Sequence, residues 1–440
     1  MILLDDKIHV EKDDLRRIFY IKDEDKEVSF YIQNAIVDLI FEEGGFKRKY
    51  NDLNDLELIE DKFIKKVINI IDNLYKVPSK TDYSDKYITY IWYYLPNNMY
   101  KVWQPLVDLL IAGELKNKIK VLDIGTGPAT LPLGIIEFYK IIAENLKDKE
   151  FVICFHLIDS QKKFIDYANY LISKVLLPKN LKVQVNSLVA NVKDDSIIKK
   201  DFKYDIISMS NFINHFEHEK DFDAFKLLKN LRDNLNDDGS LIIIEPGSEF
   251  ECISFKKIRN KLVNEGIYNI FSPCIPIWED RDKINCACFS TYIMEVKKPE
   301  LIQFLLSKGL KKFKNREHVA YNYTVLRKDG LYKYRIERNK QSFFTIKEIF
   351  EHQEKEFRAN IKGIVKKKSN KNLSFCICDG TMPNKDYWIK IDESALNDTK
   401  EAIKKLNMGE KISIKKLKVI KQENNVNMIL DINSKLQLFY

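Results

Sequence analysis

Apolar positions repeat in three different ways along the chain. Up to about residue 115 they fall three and four apart, as in Ile32, Ile36, Leu39 and Ile40, and again in Ile64, Val67, Ile68, Ile71 and Leu74. That spacing predicts amphipathic helices. Tyr87 to Tyr94 is rich in aromatics, which reads as core packing, and Leu95-Pro96-Asn97-Asn98 predicts a turn ahead of a helix over Tyr100–Ala112.

From 118 to 250 short apolar runs alternate with helical patterns. Strands are expected at Lys120–Ile124, Phe151–Ile158, Lys182–Leu188, Tyr204–Met209 and Ser240–Ile244, with helices at about 130–145, 161–175, 195–200 and 219–236. Repeated units of this length predict a parallel sheet with right-handed crossovers. Residues 251–330 bring a helix (Phe255–Glu265), a cysteine-bearing loop, and a strand-like run, Ala320–Leu326, that ends in Arg327. Past a charged helix near 346–356, alternating runs follow at Ala359–Val365, Leu373–Cys378, Tyr387–Ile391, Lys411–Ile420 and Met428–Ile432, with a helix at roughly 395–406. Five strands with a helix between the third and fourth suit a small OB-like barrel. The expected organisation is a helical segment 1–115, an α/β core 116–340 with the cysteine loop, and a β-rich basic segment 341–440.

A chain of 440 residues has room for two or three cored domains. Its net charge of +8 hints at an anionic partner without requiring one. Lys366, Lys367, Lys368, Lys371, Lys415, Lys416 and Lys418 decorate the C-terminal segment, either as a solvated face or as an RNA contact. The start, Met-Ile-Leu-Leu-Asp-Asp-Lys, turns acidic too early for a secretory or mitochondrial signal, and no uncharged apolar run is long enough to span a membrane. A cytoplasmic protein is expected. Seven cysteines in this setting point to metal or catalysis more than to a disulfide framework.

The richest chemistry lies in Lys120-Val-Leu-Asp-Ile-Gly-Thr-Gly-Pro-Ala-Thr-Leu-Pro-Leu-Gly134. A strand ends in Asp123, a tight turn carries Gly125 and Gly127, and a helix begins. Glycines there let backbone approach a ligand, and the helix start offers free N–H groups. No lysine follows for a phosphate-binding loop, and Ala-Thr replaces the later glycines of the dinucleotide fingerprint. The D-x-G-x-G pattern resembles the S-adenosylmethionine site of class I methyltransferases. That resemblance implies an α/β, Rossmann-like core. Asp159, ending the second strand, is placed for ribose hydroxyls, and Asn191, after the third, for the adenine edge. Ser210 and Asn211, after the fourth, are placed for the methionine part. Glu245, ending the fifth strand, is expected to point at the same crevice.

No catalytic set is assembled. The segment Ser210-Asn211-Phe212-Ile213-Asn214-His215 lacks the prolines of the [DN]-P-P-[YF] loop of amino-group methyltransferases. His215 and His218 read as polar surface or helix-start residues. Cys274, Cys286 and Cys288 are clustered, and Cys376 and Cys378 form a distant pair; converging thiolates suit zinc or an iron–sulfur cluster, although two cysteines two apart on a strand also fit one core layer.

The order of motifs resembles the small-ribosomal-subunit methyltransferase-like family over roughly 85–390. The matching pieces are Leu95-Pro96, Glu245-Pro246-Gly247, Pro273-Cys274-Ile275-Pro276 through Cys288-Phe289, Tyr321 to Arg327, and Phe375-Cys376-Ile377-Cys378-Asp379-Gly380. The resemblance implies a structural [4Fe-4S] cluster on Cys274, Cys288 and Cys378. The middle ligand departs from the pattern: Asp280 stands roughly where the family has cysteine, and Cys286 is the displaced substitute. Zinc is the alternative metal. Ala129 replaces a family glycine, which a negative-φ backbone would tolerate. The implied partner is the small ribosomal subunit or its rRNA, with the protein acting as RNA methyltransferase or as assembly factor. The alternative is a freestanding class I methyltransferase acting on a small molecule or protein. A radical enzyme is discounted, because the C-x-x-x-C-x-x-C loop of that class is absent.

Overall fold

A computed structural model describes residues 6–10, 27–73, 87–192, 202–216, 222–273, 292–295, 297–311, 318–333, 343–369, 373–382, 386–406, 410–423 and 425–438. Cys274, Cys286, Cys288, Asp280, His218, Lys371 and the helix expected at 195–200 lie outside them, as do the side chain of His215 and the start of the helix expected at 219–236. The chain divides into two compact units. One comprises residues 1–223, 230–245 and 293–321; the other comprises 224–229, 246–292 and 322–440. The strands are β1 (Lys118–Ile124), β2 (Phe151–Asp159), β3 (Leu181–Val189), β4 (Tyr204–Ser210), β5 (Leu235–Pro246), β6 (Asn269–Ser272), β7 (Tyr292–Glu295), β8 (His318–Arg327), β9 (Glu356–Ser369), β10 (Ser374–Cys378), β11 (Tyr387–Ile391), β12 (Lys411–Gln422), β13 (Asn425–Leu430) and β14 (Lys435–Leu438).

In the first unit β1 to β5 run parallel in the order β3-β2-β1-β4-β5. β1 is central, and Val121, Leu122 and Ile124 are fully or almost fully buried, as a strand covered on both faces requires. The order reverses between β1 and β4, so the carboxyl ends of β1, β2 and β4 open on the usual ligand crevice of such sheets. Helix α1 (Thr130–Asn145) follows the glycine loop over the expected span. A Cβ on its Gly134 would lie 2.0 Å from the Met99 carbonyl, and Trp103 Nε1 donates to Gly134 O at 2.9 Å. Glycine at 134 therefore sets how closely the upstream helical segment packs on α1.

That upstream segment corrects the expected turn at Leu95–Asn98. Residues 87 to 102 are helical throughout, with a π-type turn at Tyr90–Tyr94 and Pro96 in the first turn of the piece that follows. Pro96 follows directly on that π-type turn, where Leu95 N–H bonds Tyr90 O five residues back, so the helical path runs on through the proline.

In the second unit β9 to β13 close into a barrel in the order β9-β10-β11-β13-β12-β9. All pairs are antiparallel except β11 with β13, and helix α2 (Asn397–Lys404) connects β11 to β12. This is the OB-like arrangement. Phe357, Ile361, Phe375, Ile377, Ile389, Ile412, Ile414, Leu417, Val419 and Leu430 fill it. The sequence pattern missed β14, which pairs with the first half of β12. Asp379, 1 % exposed, accepts from Ile346 N at 2.7 Å and from Thr381 N at 2.9 Å. It thereby ties the end of β10 to the start of the helix Ile346–Glu351, whose Thr345 and Glu348 form a capping box. No helix among the described residues is long and apolar enough to cross a membrane.

Candidate cofactor site

The glycine loop is pinned at both ends. Gly125 N and Thr126 N donate to Ile158 O at 2.9 and 3.1 Å, which fastens the turn to the end of β2. Gly127 N donates to Asp159 Oδ2 and Gln161 N to Asp159 Oδ1, both at 2.9 Å. Gly125, Gly127 and Asp159 are thus brought together as expected. Burial raises the Asp159 carboxyl above its ordinary range, against the pull of these N–H donors. Each carboxylate oxygen keeps a lone pair for a further donor such as a ribose hydroxyl.

The two glycines do different work. Both have left-handed φ, +66° and +53°. A Cβ on Gly125 would lie 2.3 Å from the Phe212 ring, so that glycine makes room for protein. A Cβ on Gly127 would meet nothing within 4 Å, so the loop is open there to a ligand. Ala129, the residue before α1, also sits in the left-handed region at φ +65°. The condition for tolerating alanine is therefore not met, and the methyl carries a strain that a glycine would avoid.

Asp123 faces inward. It is 2 % exposed and accepts from Ser208 Oγ at 2.5 Å, its register partner on β4. Burial pushes its carboxyl up to about 7. It braces the two strands that flank the reversal of strand order. Asn191 is exposed just beyond β3, next to Ala190, whose N–H donates to Asp159 O at 2.9 Å.

The segment after β4 holds Ser210 and Asn211, the residues placed for the methionine part, at a sharp turn. Asn211 has φ +49°, and its N–H donates to Ile244 O at 2.8 Å. Glu245, 1 % exposed at the end of β5, accepts from Phe212 N at 3.2 Å, Ile213 N at 3.0 Å and Asn214 N at 3.3 Å. One carboxylate thus fixes the whole loop. Ser210 Oγ, Asn211 Oδ1 and Asn214 Oδ1 are buried without a hydrogen-bond partner. Buried polar atoms are nearly always paired, so three unpaired ones on one loop mark a place for a polar ligand. The sequence placed Ser210, Asn211 and Glu245 here, the last as an acid closing the apolar run Leu241-Ile-Ile-Ile-Glu245, and it did not single out Asn214.

The donor set suits S-adenosylmethionine. A cationic, amine-bearing nucleoside needs acceptors, an acid for its ribose and backbone it can approach closely. Asp159, Ser210, Asn211, Asn214 and the open face of Gly127 supply these. Cys378 ends β10 half-buried, and Cys376 is fully buried, its thiol pushed up to about 11 by burial. Among the described residues no group of three or more His, Cys, Asp or Glu side chains is arranged to hold a metal.

Residues 95–274 match the family model described as Methyltransferase domain. The sheet order, the glycine loop and that match define the class: this segment carries a methyltransferase domain with a Rossmann-like sheet. Among solved structures the chain is similar to a TehB-like SAM-dependent methyltransferase from Corynebacterium glutamicum, at 14 % identity over 52 % of this chain and 94 % of that one, with a TM-score of 0.27. It is similar too to an S-adenosylmethionine-dependent methyltransferase from Clostridium acetobutylicum, at 14 % identity over 60 % and 99 % of the two chains, with a TM-score of 0.28. No curated protein matches the chain.

Proposed function

We propose that the protein binds S-adenosylmethionine at the carboxyl ends of β1, β2 and β4 and methylates RNA of the small ribosomal subunit. The observation that carries the cofactor reading is the loop after β4, where Glu245 holds three unpaired buried acceptors beside an open glycine turn. When bound, the cofactor supplies an electrophilic methyl on a sulfonium. Asp159 orients the ribose, Gly127 lets the backbone come close, and Ser210, Asn211 and Asn214 receive the amine. Phe212, packed over Gly125, keeps water from that side of the crevice. Methyl transfer is an in-line displacement that depends on such positioning more than on an acid–base pair.

The acceptor class rests on the motif order over 85–390, together with an OB-like barrel, a fold that accepts oligonucleotides. The same resemblance supports Cys274, Cys286, Cys288 and Cys378 as ligands of a structural [4Fe-4S] cluster, with zinc as the other metal. Such a cluster would contribute folding energy rather than redox chemistry. Anaerobic purification with iron and sulfide assay tests it: about four irons, lost in Cys274→Ser, is the expected result.

The second reading, a freestanding methyltransferase for a small molecule or protein, gains from one observation. Several barrel lysines are already committed. Lys366 and Lys367 pair with Asp386 at 2.9 and 2.5 Å, Lys418 pairs with Glu356 at 3.0 Å, and Lys368 donates to Lys404 O and Leu406 O at the end of α2. Filter binding of small-subunit rRNA at two salt concentrations separates the readings. Binding that falls steeply with salt supports the ribosomal one, and no binding at low salt supports the other.

A further inference from the structure

The tyrosines of the aromatic run 87–94 are not all core. Tyr87 is half-buried, and its hydroxyl donates to Gln161 Oε1 at 2.8 Å. Packing holds the ring without that bond. The ring meets Phe164 edge-on with centres 4.8 Å apart and Tyr167 at 6.3 Å, and the nearby Tyr90 meets Phe164 at 5.4 Å. The hydroxyl therefore has a task separate from the ring's.

Gln161 stands at a junction. It is the residue before the helix Lys162–Ser173, with extended backbone at φ −99° and ψ 109°. Its carbonyl accepts from Phe164 N at 3.1 Å and Ile165 N at 3.3 Å. Short polar side chains are preferred at such a position, because they bond back to the free N–H groups of the first turn. The Gln161 side chain makes no such bond and reaches Tyr87 instead. Its own N–H donates to Asp159 Oδ1 at 2.9 Å, while Gly127 N holds Oδ2. The terminal torsion of an aspartate is soft, so the plane of this carboxylate is set by what its two oxygens bond to. A ribose offers two adjacent hydroxyls, and they meet both oxygens at once only when that plane is fixed.

We propose that Tyr87 is a positioning residue for the ribose of the cofactor. Its hydroxyl holds the Gln161 side chain, the Gln161 N–H thereby stays on Asp159 Oδ1, and the carboxylate presents both oxygens to the diol. The inference rests on the cofactor reading and adds to it a residue from the helical segment upstream of the sheet. Ribose recognition then depends on how that segment is seated against the start of the helix Lys162–Ser173.

The test is calorimetric titration of the full chain with S-adenosylhomocysteine and with its 2′,3′-dideoxy analogue, which lacks both hydroxyls. Tyr87→Phe keeps the ring and should leave the melting temperature nearly unchanged. It should bind S-adenosylhomocysteine roughly five- to tenfold more weakly, the worth of one hydrogen bond, and bind the dideoxy analogue as the wild type does. Gln161→Leu should behave in the same way. The double variant should be no weaker than either single one, because the two residues act as one chain. A merely structural role would weaken both ligands together. That result, wild-type affinity in both single variants, or additive losses in the double variant would overturn the inference and leave the cofactor reading standing. If the wild type binds neither ligand, the cofactor reading itself fails. If it binds both equally well, the ribose role of Asp159 fails, and the inference with it.

Discussion

The crevice at the ends of β1, β2 and β4 and the C-terminal barrel treat buried polarity in opposite ways. In the barrel, charges find partners within the fold. Arg358 grips Asp431 with two bonds of 2.7 and 2.5 Å, Asp386 takes two lysines, and Asp379 caps a helix. In the crevice, Ser210, Asn211 and Asn214 hold unpaired acceptors and Asp123 is a buried acid with a raised pKa. Left-handed backbone does not separate the two, since Ala129 and Asn211 have counterparts in Leu373 and Lys416 of the barrel. What differs is the clustering: the barrel leaves the Tyr387 hydroxyl unpaired, while the crevice gathers three unpaired acceptors on one loop. Clustered unpaired groups of this kind mark functional sites, because selection there trades stability for binding.

Substitutions should break the comparison in a definite order. The largest effect is expected at Asp123. Its folded pKa of about 7 exceeds the ordinary carboxyl value, so folding disfavours its charged form. The penalty is absent below about pH 4, grows as pH rises, and is complete above pH 7. It amounts to roughly 4 kcal/mol at 1.36 kcal/mol per pKa unit. Asp123→Asn should therefore flatten urea-derived stability between pH 4 and 7 and leave the variant more stable at pH 8. An unchanged pH profile would count against the burial argument.

Next comes Glu245→Ala, which strips the acceptor from three backbone N–H groups. It should cost about 3 kcal/mol and abolish cofactor binding, while Glu245→Gln retains part of both. In the barrel, Asp431→Asn breaks the grip of Arg358. Pairing with that guanidinium holds the Asp431 carboxyl down at about 2, so its stabilisation is present above about pH 4 and lost as pH falls toward 2. Arg358 is partly exposed, which limits the cost to about 1–2 kcal/mol. Cofactor affinity should not change. The smallest effect is expected for Ala129→Gly, which relieves the left-handed methyl and should raise stability by about 1 kcal/mol or less. A loss of stability there would show that the methyl's burial outweighs its backbone strain.

Local features of the chain were legible, while features made by distant partners were not. Apolar runs ending in glycine or acid gave β1 to β4, the helix Thr130–Asn145 and the five barrel strands, because periodicity is set by immediate neighbours. The glycine turn between β1 and the helix Thr130–Asn145 was legible for the same reason. Pro96 misled because a proline's effect depends on its place in the helix, which depends on where the helix began. The φ of Ala129 is fixed by the turn as a whole. Glu245 meets the Phe212 N–H only because the sheet sets β5 beside β4. Lys366 and Lys367 meet Asp386 only after β10 and β11 fold back, so these pairings within the run of lysines could not be read from the sequence. β14 is short and follows a tight turn at Asp431–Ser434, too little sequence for alternation to show.

The central claim is that the glycine-loop crevice takes S-adenosylmethionine, and calorimetric titration of the full chain with S-adenosylmethionine and S-adenosylhomocysteine tests it most directly. Saturable one-to-one binding, lost in Asp159→Ala and kept in Asp431→Asn, is the predicted result. Absence of binding to the folded wild type, or equal binding by Asp159→Ala, would contradict the account.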